Sequence, residues 1–395
     1  MIHLFINGIS ASAGGGLTYI RNIVPQFAVR DDVRATVLVS DALRNEIIES
    51  DRIAVVKEGF QSRGSSRFWH EQSMLPKLIR RSGADVLLSP GNFALFRSPI
   101  PQILLSRNAL YTSADFLRDL RERRDYRLWI DTKIKGALAR WSILLAERTV
   151  APSEAFAEEL RRWTGKEVQC IHHGFNSDSF FRESTPLPQS IGDRLSSVAD
   201  AVKVLFVSHY NYYRNFETLI RSIALVKKRM PKRRVRLILT CKLISQDNPG
   251  SYRAEAAAKL VRSLKLEEEI IQLGAVPYRL LHHLYKACDI YATPAYAETF
   301  AHPLVEAMAS GLPVIASDLP VHREICGEAA MYFPTFSAEA LAERIIQLSE
   351  CETADAEKKR VQMHEMGLMR SQDFQWSKHV EALLRLAGNL AGANA

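Results

Sequence analysis

Short runs of consecutive apolar residues punctuate this chain, and between most of them the apolar positions recur every three to four residues. In the N-terminal half the runs fall at 2–6, 35–39, 53–56, 86–89, 101–105, 148–151 and 168–172. A second series lies at 202–208, 235–240, 270–273, 290–293, 313–317 and 330–333. Runs that are apolar throughout, rather than alternating, predict strands buried on both faces. Strands of that kind, separated by helical-period stretches, form parallel sheets covered by helices. Expected helices include 17–28, directly after a glycine run, and 338–349, 357–372 and 376–390 near the end. The 183–200 stretch is polar with two prolines and reads as a linker. The organisation expected is therefore an N-terminal Rossmann-like domain over 1–185 and a second one over 200–375.

Length agrees, since 395 residues exceed the size at which a single core keeps growing. Five cysteines, Cys170, Cys241, Cys288, Cys326 and Cys351, are scattered without a C-x-x-C pair. They read as reduced thiols of a cytoplasmic protein rather than a disulfide frame or zinc site. No apolar run reaches the length of a membrane span, and the start MIHLFINGIS lacks a basic leader. A net charge of +8 calls for an anionic partner: nucleic acid, an anionic membrane surface or a phosphate-bearing substrate. Basic residues are not interleaved with aromatics along a strand as single-strand binders require, so no nucleic acid is expected.

The densest chemistry lies in 287–321. Glu298 follows the apolar run 290–293 and Pro294, and Glu306, with seven residues between, lies in a predicted helix, 303–309, ended by Gly311. The unit is strand, turn, helix, strand, the right-handed crossover of a parallel sheet. Ligands bind beyond the carboxyl ends of such strands, where helix N-termini offer free N–H groups to anions. Carboxylates in that place repel phosphate and instead accept from hydroxyls. Together the two features suit a sugar joined to a phosphate.

Around this pair stand Asp289, Pro294, Phe300, Pro303, Glu306-Ala307-Met308-Ala309, Gly311, Pro313-Val314 and Glu324. The string resembles the donor-binding signature of the retaining GT-B glycosyltransferases of family 4 (glycosyl transferases group 1), whose mark is Glu, seven residues, Glu. The resemblance implies an α/β GT-B fold: two facing Rossmann-like domains with parallel sheets, a cleft between them, and a last helix, about 376–392, packing back on the first domain. It implies that Glu298 touches hydroxyls of the transferred sugar, with the backbone of Thr299, Phe300 and Ala301 near the diphosphate. Glu306 would accept from the ribose hydroxyls. Family members carry a lysine where this chain has Arg214-Asn215, and arginine can hold a phosphate with two parallel bonds. A further arginine usual about six residues earlier is replaced by Ser208-His209, a loss that Lys242 could offset. The 274–278 loop could present backbone to the base.

In the first half, Gly14-Gly15-Gly16 sits between strand and helix, but Tyr19 stands where a dinucleotide-binding fingerprint needs its last glycine. A tight turn is also compatible with the run; by resemblance Gly15 and Gly16 face the donor phosphate. A histidine usual after the run at 101–105 is absent, and Ser106-Arg107-Asn108 stands there. Asn108 is carried over as a sugar-binding residue only. No Asp-x-Asp dyad ends a strand, so no tightly held divalent metal and no bound cofactor is expected. The adjacent pairs His172-His173 and His282-His283 are expected to point apart. Residues 118–140 carry a net +4, with Trp129, Ile130, Ile134, Leu138 and Trp141 at near-helical spacing. They fit either a helix lying on an anionic membrane or an ordinary amphipathic helix packed on the first sheet.

The expected activity is transfer of a hexose from a UDP- or GDP-sugar to a hydroxyl acceptor, a lipid-linked saccharide or surface polysaccharide, with retention. A nucleotide-sugar epimerase or phosphorylase, a non-catalytic nucleotide-sugar sensor and an NAD-dependent oxidoreductase are the alternatives. The failed glycine fingerprint disfavours the last.

Overall fold

The computed structural model describes residues 1–9, 11, 15–40, 43, 45–57, 65–350 and 354–392; Gly14 and Cys351 lie outside the described residues. The chain divides into two compact units. Met1–Thr112, Trp129–Gly174 and Gln375–Ala395 form the first, and Ser113–Leu128 with Phe175–Phe374 the second.

In the first unit β1 (Ile2–Gly8), β2 (Val33–Val39), β3 (Ile53–Lys57), β4 (Val86–Ser89), β5 (Gln102–Leu105), β6 (Arg148–Ala151) and β7 (Gln169–Cys170) form one sheet. Their order is β3-β2-β1-β4-β5-β6-β7, and every pairing is parallel. Continuous apolar strands make sense here because both faces are covered. Leu4 and Ile6 of β1 pack with Tyr19, Ile20 and Ile23 from the helix Gly15–Phe27 and with Val380, Leu383 and Ala387 from the helix Trp376–Gly392. Phe5, between them, faces the other way toward Leu75 and Ile79 of the helix Ser65–Ser82.

In the second unit β8 (Val202–Phe206), β9 (Val235–Leu239), β10 (Ile270–Gln272), β11 (Ile290–Thr293), β12 (Val314–Ser317) and β13 (Ala330–Phe333) follow the order β10-β9-β8-β11-β12-β13. These pairings too are all parallel. The direction of winding reverses between β8 and β11. Such a switch point opens a crevice at the carboxyl ends of the two strands.

Two stretches differ from the sequence expectation. Within 183–200 the chain forms a helix, Gln189–Ser196, that buries Ile191 and Leu195. The basic 118–140 stretch is not one helix. Ser113 caps the helix Ala114–Glu122 by accepting from the Phe116 N–H, Arg124 takes a left-handed φ of 55°, and a new helix runs Tyr126–Leu145. That second helix inverts the usual amphipathic rule. It buries Thr132, Gly136, Ala139, Ser142 and Ile143, mostly small residues, while Ile130, Ile134, Trp141, Leu144 and Leu145 are exposed. Residues 130, 134, 141 and 144–145 fall on one side of a helix with 3.6 residues per turn.

Candidate functional site

Two turns of the second unit, remote in sequence, meet at its switch point because β8 and β11 are neighbours. The turn after β8 carries Arg214 and the loop after β11 carries Glu298. The Arg214 Nη1 donates to Glu298 Oε2; the two side chains are only 18% and 11% exposed. Burial disfavours the Arg214 charge, but the carboxylate of Glu298 and the nearby Tyr213 and Tyr291 outweigh it, so the guanidinium stays firmly protonated. The Thr299 N–H reaches Glu298 Oε1 at 3.3 Å.

The backbone around this pair is tightly held. Asn215 adopts a left-handed conformation (φ 54°) at the start of the helix Phe216–Arg229, a region where asparagine is tolerated better than most residues. From there its amide donates to the Pro294 carbonyl at 3.2 Å. The Tyr296 N–H donates to the Tyr213 carbonyl at 2.9 Å. Ser317 Oγ donates to the Ala295 carbonyl, and the buried His322 bonds through Nδ1 to the Ser317 carbonyl at 2.8 Å. Ala301, at the mouth of the helix His302–Ala309, is held at φ 62°. A left-handed alanine costs about 1–2 kcal/mol, and strain of this kind concentrates where backbone geometry serves a ligand.

A charged segment from the N-terminal half of the sequence braces the same loop. Asp119, in the helix Ala114–Glu122, accepts from Tyr296 OH at 2.7 Å, two residues before Glu298. Arg123 joins Asp119 at 2.7 Å to Glu217 at 2.9 Å and lies over the Tyr212 ring at 4.4 Å. Asp125 accepts from Tyr212 OH at 3.1 Å. Asp119→Ala should therefore cut turnover about tenfold by letting the Glu298 loop shift, while Asp119→Asn, which keeps an acceptor for Tyr296, restores most of it. Steady-state kinetics check this, and equal losses in both variants would contradict it.

Glu306 lies in the helix His302–Ala309 and is 3% exposed. No cation pairs with it among the described residues. Tyr285 OH donates to its Oε2 at 2.9 Å. Burial pushes its carboxyl up to about 7, against the hydrogen bonds from Tyr285 and Tyr278 that favour the charged form. The surface salt bridge that would be its ordinary use is absent. Tyr291, buried on β11, lies close enough to Arg214, Glu306 and Glu298 to feel all three charges, so these residues share one neighbourhood.

Lys242 is half-exposed, 3.9 Å from Asp247. It also runs along Gly274, where an added methyl would lie 3.6 Å from its Cε. His209 is held below the usual imidazole range by burial and by Arg214. It brings no positive charge at neutral pH, so the missing arginine is not replaced there. His282 and His283 do not point apart: their ring centroids are 3.9 Å from one another.

The remaining sequence candidates belong to the first unit. Gly15 and Gly16 open the helix Gly15–Phe27. Asn108 uses its side-chain oxygen to accept from the Leu110 N–H at 3.0 Å, capping a short turn. Its neighbour Arg107 instead reaches the glycine turn, donating to the Gly15 carbonyl at 2.8 Å. Sequence reasoning did not single out Asp119, Tyr285, Tyr291 or Arg107 as site residues. The first three are tied to the site only by the fold, whereas Arg107 could have been flagged as the charged half of the Arg107-Asn108 pair.

Comparison with known proteins supplies the family. The model for glycosyl transferases group 1 matches residues 193–368, and that for glycosyltransferase family 4 matches 13–179. A D-inositol 3-phosphate glycosyltransferase of Corynebacterium aurimucosum is 31% identical over 179 residues, which are 44% of this chain and 40% of that relative. The chain thus aligns with well under half the length of that curated relative. Among solved structures, sucrose-phosphate synthase from Thermosynechococcus elongatus superposes with a TM-score of 0.76 at 19% identity, covering 100% of both chains. The Anabaena protein HepE in complex with UDP-glucose gives 0.72 at 19% identity, covering 99% of this chain and 100% of that one. At these identities the structural likeness establishes the fold. With both halves of the sequence matched by family models on two parallel α/β sheets, the chain belongs to the family 4 glycosyltransferases of the GT-B fold.

Proposed function

We propose that this glycosyltransferase moves a hexose from a nucleoside diphosphate sugar to a hydroxyl acceptor with retention. The observation that carries the reading is the Arg214–Glu298 pair at the β8/β11 switch point, with the buried Glu306 beside it, paired with no cation among the described residues. The Arg214 guanidinium has more donors than Glu298 uses, and its Nε is buried without a partner. It is suited to the diphosphate together with the N–H groups of Thr299, Phe300 and Ala301, and Lys242 adds positive charge from the adjacent loop. Glu298 accepts from hydroxyls of the transferred sugar and Glu306 from the ribose hydroxyls. The roles of Gly15, Gly16 and Asn108 are those implied by resemblance.

In this reading the bond from the sugar's anomeric carbon to the phosphate oxygen breaks as the acceptor oxygen bonds to that carbon on the same face. The acceptor's proton passes to the departing phosphate, so no protein base is required. Arg214 and the amides stabilise the negative charge that develops on the diphosphate, the kind of term that usually dominates catalysis.

UDP or GDP is the expected nucleotide, and a crystal structure of HepE holds UDP-glucose. A thermal-shift panel of UDP, GDP, ADP and their sugars tests the donor, because a bound ligand raises apparent stability by mass action. Acceptor-dependent release of nucleoside diphosphate, with the product anomer read by NMR, tests the reaction. Binding without turnover across an acceptor panel would favour a sensor, and an isomerised donor would favour an epimerase.

The acceptor in this reading is a lipid-linked saccharide or growing surface polysaccharide at the cytoplasmic face of a membrane. Its support is the exposed row Ile130, Ile134, Trp141, Leu144 and Leu145, flanked by the exposed Lys133 and Arg140. No helix among the described residues is long and apolar enough to cross a membrane. A helix of this make-up instead lies in the interface, apolar face down and cations at the headgroups. Ile134→Asp should abolish co-sedimentation with vesicles containing anionic lipid; undiminished binding would refute the surface.

A further inference from the structure

A row of aromatic rings stands beyond the carboxyl ends of the first unit's strands, and the proposed donor site makes no use of it. Phe68 and Trp69 come from the start of the helix Ser65–Ser82, Phe93 and Phe96 from the loop after β4, and Tyr111 from the turn after β5. Phe68 is the hub. Its ring centroid lies 5.4 Å from Trp69, 5.8 Å from Phe93 and 5.5 Å from Phe96, each pair edge to face. Phe93 continues the row to Tyr111 at 6.5 Å. Trp69 is 64% exposed, and the other four are half-buried. An edge-to-face contact covers one ring face where stacking covers two, so this packing leaves ring faces open to solvent.

The loop after β4 is built to keep its rings there. Its aliphatic residues Ala94 and Leu95 are 1% and 2% exposed, while the phenylalanines on either side stay at the surface, the reverse of what burial favours. Two glutamines hold that arrangement. The buried Gln102 donates to the Leu95 carbonyl at 2.8 Å and accepts from the Leu95 N–H at 3.0 Å. Gln72 donates to the Ala94 carbonyl at 3.1 Å and accepts from the Phe96 N–H at 2.8 Å. Asn92, at a left-handed φ of 68°, accepts from the Arg107 N–H at 2.6 Å, and Arg107 in turn holds the Gly15 carbonyl. The rings are thereby fixed at the edge where ligands bind in such sheets. Contiguous exposed apolar surface on a fixed backbone marks a binding surface.

The chemistry at one end of the row says what binds. The Asn108 side chain hydrogen-bonds the Tyr111 hydroxyl in the sense that favours the charged phenol. The amide N–H is therefore the donor, and the phenol O–H can still donate. A pyranose ring has faces of C–H groups rimmed by hydroxyls. The C–H face suits the negative face of an aromatic ring, and the hydroxyls suit an amide and a phenol. A prenyl or acyl chain has no use for that polar pair.

We infer that this row is an acceptor subsite for an oligosaccharide: Asn108 and Tyr111 hold its terminal sugar, and Phe93 and Trp69 stack on the sugars behind it. The inference rests on the glycosyltransferase reading and narrows its acceptor to a chain of two or more sugars, recognised through its carbohydrate rather than through a lipid.

Isothermal titration of the full chain, Trp69→Ala and Trp69→Phe tests it; Trp69 is exposed, so neither variant threatens the fold. The probes are mono-, di- and trisaccharides of the gluco, galacto and manno series, with decyl glucoside as the apolar-chain probe and UDP as the donor probe. In at least one series affinity should rise about tenfold from mono- to trisaccharide, as one well-placed ring contact implies. Trp69→Ala should erase that rise, Trp69→Phe keep part of it, and UDP affinity stay unchanged in both. No rise in any series, or a rise that survives Trp69→Ala, overturns the inference. A gain for decyl glucoside over glucose that disappears in Trp69→Ala also overturns it, because the row would then hold an apolar chain. Absence of UDP binding by the parent protein would instead sink the donor reading, whatever the saccharides do.

Discussion

Arg214→Ala should lower turnover by about two to three orders of magnitude, the usual loss when one preorganised group facing developing charge is removed. The effect is this large because, among the described residues, no other cation is held against Glu298 as Arg214 is. His209 is held neutral and Lys242 is half-exposed, next to Asp247. The variant should also be less stable by about 3–5 kcal/mol, since deleting one partner of a buried pair strands the other charge. Glu298, 11% exposed, is the group stranded. Denaturant titration separates the two effects, provided rates are normalised to folded protein. Arg214→Lys keeps the charge but not the fork and should fall between. Unchanged turnover in Arg214→Ala would show that the diphosphate is not held there.

Glu306→Gln should weaken nucleotide binding by about ten- to a hundredfold, the range expected for one or two hydrogen bonds to a charged acceptor. It should also stabilise the protein without ligand, in a pH-dependent way. The folded carboxyl titrates at about 7, raised from 4.5, so between those values the native state binds more protons than the unfolded one. The Glu306 contribution to stability therefore falls as pH rises through that window. The cost is absent below the unfolded value and complete above the folded one, where it approaches about 3 kcal/mol. Glutamine carries no such cost. The variant should be the more stable protein at pH 8, with the difference fading toward pH 5, as urea titrations across that range would show. Because ribose hydroxyls favour the ionised form, nucleotide affinity of the parent protein should rise with pH through 7, and that rise should vanish in Glu306→Gln. A stability difference between the parent protein and Glu306→Gln that stays constant from pH 5 to 8 would contradict the burial of this carboxyl.

Most of the sheet architecture is legible in the sequence because each strand is buried on both faces. Residues such as Leu4, Phe5 and Ile6 serve opposite faces of one sheet, and the resulting unbroken apolar run has few other readings. The Glu298–Glu306 pair is legible for a related reason: strand, turn and helix follow one another without interruption, so spacing alone places both carboxylates beyond β11. The partners were hidden because they arrive from far along the chain. Tyr285 stands 21 residues from Glu306 and Asp119 177 residues from Tyr296; only the strand order brings them close. The helix Tyr126–Leu145 misleads in a different way. Apolar spacing marks a helical face but not which face is buried, and here packing takes Gly136 and Ala139 while leaving Ile134 and Trp141 outside.

The most direct measurement is a crystal structure of the chain soaked with UDP or GDP. The account predicts the diphosphate within hydrogen-bonding distance of Arg214 and the N–H groups of Thr299 to Ala301, with the ribose hydroxyls on Glu306. A nucleotide bound elsewhere, or none at millimolar ligand while Arg214 and Glu298 remain closed on each other, would contradict it.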